Sequence, residues 1–236
     1  MSVLTISGQI GAGAREVGRL VAGRLNLEYV DQEILVEAAR TLGVPVESVV
    51  SHDERTAGFG ERLATMLRRF LERSAAAGAA DPVMGSGGLD LVLARTYGEA
   101  AAAEEAPEVS DERYITTLSA IIRDLAVDHD AVIIGRGSQV ILKDEPKAVH
   151  ILLVGPLEAR IQYLARREGC SQDEATKRVS ELDGGRFDFH HKFFKIDVND
   201  PAVYHAAINT TKFPDDDAAE IIVDLTSRIA AWPKAQ

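Results

Sequence analysis

Three glycines near the amino terminus, Gly8, Gly11 and Gly13 in the stretch SGQIGAGAREVG (residues 7–18), have the spacing of a loop that wraps phosphate. Glycines let successive backbone N–H groups turn inward, and a helix beginning behind them adds partial positive charge, so the chemistry would be main-chain recognition of a polyphosphate. The side chains depart from the usual pattern. Gly8 and Gly13 frame G-x-x-x-x-G, yet Ala14 stands where a lysine would reach the phosphates and Arg15 where a hydroxyl would meet magnesium. A guanidinium grips phosphate oxygens through two parallel hydrogen bonds, so Arg15 can bring the missing charge. The same stretch also reads as a tight turn between a strand and a helix.

A second candidate is Gly135-Arg136-Gly137, directly after the apolar run Ala131–Ile134. It stands just past a buried strand, at the sheet edge where ligands bind in such folds; a turn carrying a surface arginine is the alternative. Asp31 follows another short apolar run, where a lone carboxylate can cap the next helix. Magnesium has three candidate anchors, Ser7, Asp31 and water-mediated contacts. From Arg160 to Lys195, which includes Arg166, Arg167, Lys177, Arg178 and Arg186, eight Lys or Arg face six Asp or Glu. Between Ser74 and Glu112 the one basic residue is Arg95, against eight acids. The later segment is therefore the side that would face anions and clamp a migrating phosphoryl group, although charged faces of ordinary helices read the same way.

These residues need a scaffold that gathers strand ends. Val3–Ser7 reads as a short buried strand, and Val17, Leu20, Val21 and Leu25 recur at helical spacing, which puts the glycines at a strand-to-helix turn. Leu27–Val30, Ala131–Ile134, Val149–Val154 and Val203–Ile208 read as further strands. Helices are expected over about 32–42, Arg62–Arg73, Tyr114–Val127, Leu157–Glu168, from Ser171 with Glu174 as a capping box, and over Asp215–Ala231. The stretch ELDGGRFDFHHKFFK reads as polar linking chain, and the Ala-rich runs between Ser74 and Glu108 as an irregular insertion. Alternating strands and helices predict an α/β fold, a parallel sheet flanked by helices, with ligands at the carboxyl ends of the strands.

Composition narrows the partners. A chain of 236 residues, 46% hydrophobic, can bury one substantial core. A net charge of -11 argues against general nucleic-acid or anionic-membrane binding and leaves small anions in a locally basic pocket. Cys170 is the single cysteine, which excludes an intrachain disulfide and suits a reducing cytoplasm. The run Val3–Ile6 has no charged leader and stops at Gly8, and the sequence contains no apolar run long enough to span a bilayer, so a soluble, unprocessed protein is expected. His190 and His191 are adjacent and diverge, which disfavours a metal pair. Asp215-Asp216-Asp217 suits a helix N-terminus, Cys170 a structural role and Trp232 packing.

The opening TISGQIGAGAREVGRLVAGRLNLEYVDQEIL, with VIIGRGSQVIL at 132–142, LDGGRF at 182–187 and DVNDPAVYHAAINTTKF at 197–213, resembles the cytidylate kinase-like family. These are relatives of nucleoside monophosphate kinases whose loop reads glycine-serine-glycine-glycine-arginine-glutamate without the lysine. The resemblance implies a P-loop NTPase-type fold with ATP and Mg2+ as cofactors, small-molecule nucleotide substrates and compatibility with a homodimer. It implies a core at 1–45, 111–165 and 195–236, a helical acceptor-side insertion at about 46–110, and a lid-like segment at about 166–194. By the same resemblance Gly8, Gly11, Ala12, Gly13, Ala14, Arg15 and Glu16 line the donor phosphates, and Asp31, Arg136, Asp183 and Arg186 hold the acceptor. Arg15, Arg166, Arg167 and Arg186 would neutralise charge during transfer. The family's first arginine four residues before Asp183 is replaced by Val179, with Arg178 beside it. The expected activity is phosphoryl transfer from ATP to CMP or dCMP, the alternatives being a nucleotide-binding regulator without turnover and a kinase for another small acceptor.

Overall fold

A computed structural model describes residues 3–31, 33–44, 46–50, 52, 109–128 and 130–231. The helix expected at Arg62–Arg73, the Ala-rich insertion and Trp232 lie outside the described residues. Five strands, β1 Val3–Gly8, β2 Glu28–Val30, β3 Ala131–Ile134, β4 Ala148–Val154 and β5 Ala206–Asn209, form one parallel sheet in the order β2-β3-β1-β4-β5. The helices are α1 Ala14–Leu25, α2 Glu33–Leu42, α3 Val46–Val50, α4 Asp111–Asp128, α5 Ser138–Ile141, α6 Leu157–Glu168, α7 Gln172–Phe194 and α8 Asp215–Ala231.

The central strands are buried along almost their whole length because both faces are covered, as expected of a parallel sheet. On one face, Val3, Ile133 and Ala148 pack with Ile34 and Leu35 of α2, Tyr114, Leu118 and Ile122 of α4, and Phe189 of α7. On the other, Leu4, Ile6, Val132 and Ile151 pack under Val17 and Val21 of α1 and Ala218 and Ile222 of α8. The register aligns Ile6 with Ile134 and with Ile151. It thereby brings Gly8, Asp31, Gly135, Gly155 and Thr210, each at or just past the carboxyl end of a strand, to one edge of the sheet.

Beyond the short helices α3 and α5, which periodicity does not mark, two segments differ from the sequence expectation. The stretch read as polar linking chain is helix: α7 runs 23 residues from its Ser171 cap through Gly184 and Gly185 to Phe194. Its buried stripe of Ala175, Val179, Arg186, Phe189 and His190 outweighs the poor helix propensity of two glycines. The last strand starts later than expected, because Pro201–Val203 forms a 3-10 turn capped by the Asp200 carboxylate, which accepts the Ala202 N–H at 2.9 Å.

A buried histidine makes stability depend on pH. His150 of β4 is 5% exposed, its Nδ1 lies 2.8 Å from Thr5 Oγ1, and its N–H donates to His205 Nδ1 at 2.9 Å. Burial, and secondarily the neighbouring His205, pushes the His150 pKa down to about 4. The unfolded chain therefore binds the extra proton between about pH 6.5 and 4, and stability present at neutral pH is lost as pH falls through that window. The loss should reach on the order of 3 kcal/mol. Melting temperatures from pH 7 to 4.5 should fall more steeply for the native chain than for His150→Gln; parallel slopes would count against this assignment.

Candidate active site

The bend expected to line donor phosphates is built from backbone. After Gly8 the chain bends through Gly11 (φ 83°) and Gly13 (φ 76°) into α1, and Gly13 brings no capping side chain to that helix. Left-handed φ favours glycine, and at Gly11 space forbids anything larger: a Cβ would lie 2.3 Å from the Arg160 carbonyl oxygen. The Ala12 N–H donates to Gln9 O at 2.9 Å and closes the bend. Ala14 and Glu16 begin α1 behind it, a helix N-terminus placed where an anion is favoured.

Side chains from other elements hold this bend. Asp183 of α7 accepts the Ile10 N–H at 2.9 Å through Oδ1 and receives Arg160 Nη1 at 2.7 Å on Oδ2. Arg160 of α6 also donates from Nη1 to Ile10 O at 2.7 Å and from Nε to Gly155 O at 2.9 Å. Gln9 Oε1 accepts the Gly155 N–H at 3.1 Å, and Thr210 Oγ1 donates to Ala12 O at 2.7 Å. Asp183, expected on the acceptor, thus contacts the loop's own backbone.

Beside the loop lies a cluster organised by one carboxylate. Asp31, at the end of β2 and 4% exposed, forms an ion pair with Arg15 Nε at 2.8 Å through Oδ2 and accepts Arg136 Nη1 at 3.0 Å on Oδ1. Arg136 is fully buried and also donates to Ile134 O at 3.2 Å. Its backbone is left-handed (φ 57°) between Gly135 (φ 71°) and Gly137 (φ 68°), so three consecutive residues adopt a conformation only glycine enters at no cost. Arg186, 2% exposed, reaches Ser7 Oγ at 3.0 Å, Asn199 Oδ1 at 2.9 Å and Val198 O at 3.2 Å. Three guanidinium-bearing residues and the loop therefore meet at the ends of β1, β2 and β3.

Toward solvent a cleft of about 440 Å³ opens next to the loop, lined among others by Gly11, Ala12, Tyr163, Arg166, Phe213 and Asp215. Tyr163 donates to Asp215 Oδ2 at 2.8 Å, and burial together with that carboxylate raises the phenol's pKa, keeping it a neutral donor. Arg167 bridges Glu16 and Glu168, each at 2.9 Å, which ties the end of α6 to the start of α1. Arg178 pairs with Glu168 and with Glu174, and Val179 is buried against Ile161 and Leu164. Among the described residues no group of three His, Cys, Asp or Glu side chains is arranged to hold a metal. Ser7 accepts Arg186 and Asp31 pairs with two arginines, so both expected magnesium anchors are already engaged by cations.

Sequence reasoning did not single out Arg160, Asn199, Tyr163 or Thr210. Arg160 had a usable signal: a cation in the first turn of a helix opposes the helix dipole and needs a partner that stabilises it there. Asn199, Tyr163 and Thr210 carry no signal in their spacing, since their partners lie 13 to 198 residues away.

The profile of the Cytidylate kinase-like family matches residues 3–212. A cytidylate kinase from Thermococcus sibiricus is 31% identical over 99 residues, 42% of this chain and 50% of that protein. One from Methanopyrus kandleri is 25% identical over 108 residues, 42% of this chain and 56% of that protein. The chain thus spans about half the length of the curated relatives it matches. Among solved structures, an uncharacterized protein from Eubacterium ventriosum superposes with a TM-score of 0.60 at 16% identity, covering 96% of this chain and 99% of that one, a likeness of fold. No helix among the described residues is long and apolar enough to cross a membrane.

Proposed function

This chain belongs to the cytidylate kinase-like family, and on that premise we propose that it transfers the γ-phosphoryl group of ATP, as its magnesium complex, to a nucleoside monophosphate, CMP or dCMP, in the cytoplasm. The observation that carries this reading is the meeting of a main-chain phosphate bend with the buried Arg136 and Arg186 at one sheet edge. The bend and the N-terminus of α1 seat the donor phosphates, while the cleft beside Tyr163, Arg166 and Phe213 has the size and lining to take the donor's base. Arg136, with Asp31 setting its direction, faces the acceptor phosphate, and Arg15 stands between the two ends through its bond to the same carboxylate.

The attacking oxygen belongs to the acceptor's own phosphate, which is largely ionised at neutral pH, so no protein nucleophile or general base is needed. The bond formed joins that oxygen to the γ-phosphorus, the bond broken is the β–γ bridge, and ADP leaves. Catalysis is positioning plus neutralisation of charge by Arg15, Arg136 and Arg186, with Arg166 and Arg167 on the lid-like segment at the rim.

Two observations favour other outcomes. Ala14 in place of lysine suits a nucleotide-binding regulator without turnover, and Val179, buried where the family carries an arginine, suits a different small acceptor. A coupled ADP-release assay across a panel of monophosphates, beside ATP calorimetry, separates them. Turnover is expected with CMP or dCMP ahead of other nucleotides. ATP binding with no acceptor turned over would select the regulator, and turnover confined to a non-nucleotide would select the third reading.

A further inference from the structure

The geometry points to Asp183 and Arg160 as positioning residues that hold the donor loop in shape in the absence of the lysine, Asp183 acting through the loop and not as an acceptor ligand. This inference rests on the proposed donor site but is read first in the free protein. The peptide groups on either side of Ile10 are gripped together: the N–H by Asp183 Oδ1 at 2.9 Å and the C=O by Arg160 Nη1 at 2.7 Å. Both Asp183 oxygens are thereby engaged, since Oδ2 receives the same Nη1 at 2.7 Å. Arg160 is 6% exposed and spends its Nε on Gly155 O at 2.9 Å, so its guanidinium links the end of β4, the loop and α7.

A loop of three glycines loses much conformational freedom when it takes one shape, and a phosphate ligand would have to supply that cost if the loop were loose. In an ordinary phosphate loop a lysine sits among the loop's own atoms. Here Ala14 offers nothing, and a cation from α6 reaches the loop carbonyl instead. Because the Arg160 charge is balanced by Asp183, the clamp orders the backbone without adding net charge at the site. Lysine at 160 would keep the charge but lose the planar fork that serves three oxygens at once.

The test is hydrogen–deuterium exchange of the free protein over residues 7–18, followed by calorimetric titration with ATP and, separately, with CMP, for the native chain, Asp183→Asn and Arg160→Lys. Asp183→Asn is isosteric and keeps a carbonyl for Ile10, so it guards against a chain that fails to fold. Both variants should exchange faster in the loop and bind ATP more weakly by on the order of 10- to 100-fold, with CMP affinity within about twofold of native. Loop exchange unchanged in both variants, or CMP affinity falling while ATP affinity holds, would overturn the clamp. Native protein that binds no ATP would refute the proposed function and leave the exchange result to judge the clamp alone.

Discussion

Arg136→Ala should lower kcat/KM for the acceptor by on the order of 100- to 1000-fold, the range lost when a preorganised charge-stabilising donor is removed from a phosphoryl-transfer site. ATP affinity should fall much less, because the loop backbone is held by Asp183, Arg160 and Thr210. Lysine at 136 should recover little, since a point charge cannot bond Asp31 and Ile134 O while also presenting a fork to phosphate. Steady-state kinetics with each substrate varied in turn reads the split. A loss confined to ATP affinity would move Arg136 to the donor side, and unchanged kinetics would remove it from the site.

Gly11→Ala should be the most damaging single change to the donor side. The added methyl carbon meets backbone, the Arg160 carbonyl oxygen at 2.3 Å and its carbon at 2.8 Å, and the residue must also hold φ 83°. Backbone in the first turn of α6 cannot swing aside as a side chain would, so either the helix shifts or the loop opens. About 3 kcal/mol of stability should be lost, combining left-handed strain with the clash. ATP affinity should fall at least tenfold, since loop amides misplaced by an ångström no longer converge. Denaturant midpoints and calorimetry measure the two effects. Gly23→Ala, inside α1 with nothing within 4 Å of the new carbon, is the control: it should leave ATP affinity unchanged and raise stability by up to about 1 kcal/mol, the helix propensity gained.

The architecture was readable in the sequence wherever apolar residues mark buried strands and periodic helices. Ala131–Ile134, Leu157–Glu168 and Asp215–Ala231 fall where periodicity puts them, because a strand buried on both faces is an apolar run and a helix packed on one side repeats its apolar residues every three to four. Reading failed where tertiary packing overrides local propensity, as in α7, whose glycines and aromatic run looked like linking chain until the buried stripe of Phe189 and His190 is seen against the sheet. The candidate site could be read from the sequence as a set of residue types at strand ends. Its wiring was not: a lone arginine is expected at the surface, and the full burial of Arg136 follows only from Asp31, 105 residues away in sequence. Arg160's place in the first turn of α6 pointed to a partner but not to which one, since Ile10 and Asp183 lie 150 residues before it and 23 after.

Phosphorus NMR of the native chain with ATP, magnesium and CMP tests the central claim most directly, because it follows the transferred atom. Matched growth of ADP and CDP signals, with no inorganic phosphate, is the predicted result. ATP that stays intact, or that gives ADP and inorganic phosphate alone, would contradict transfer to the nucleotide.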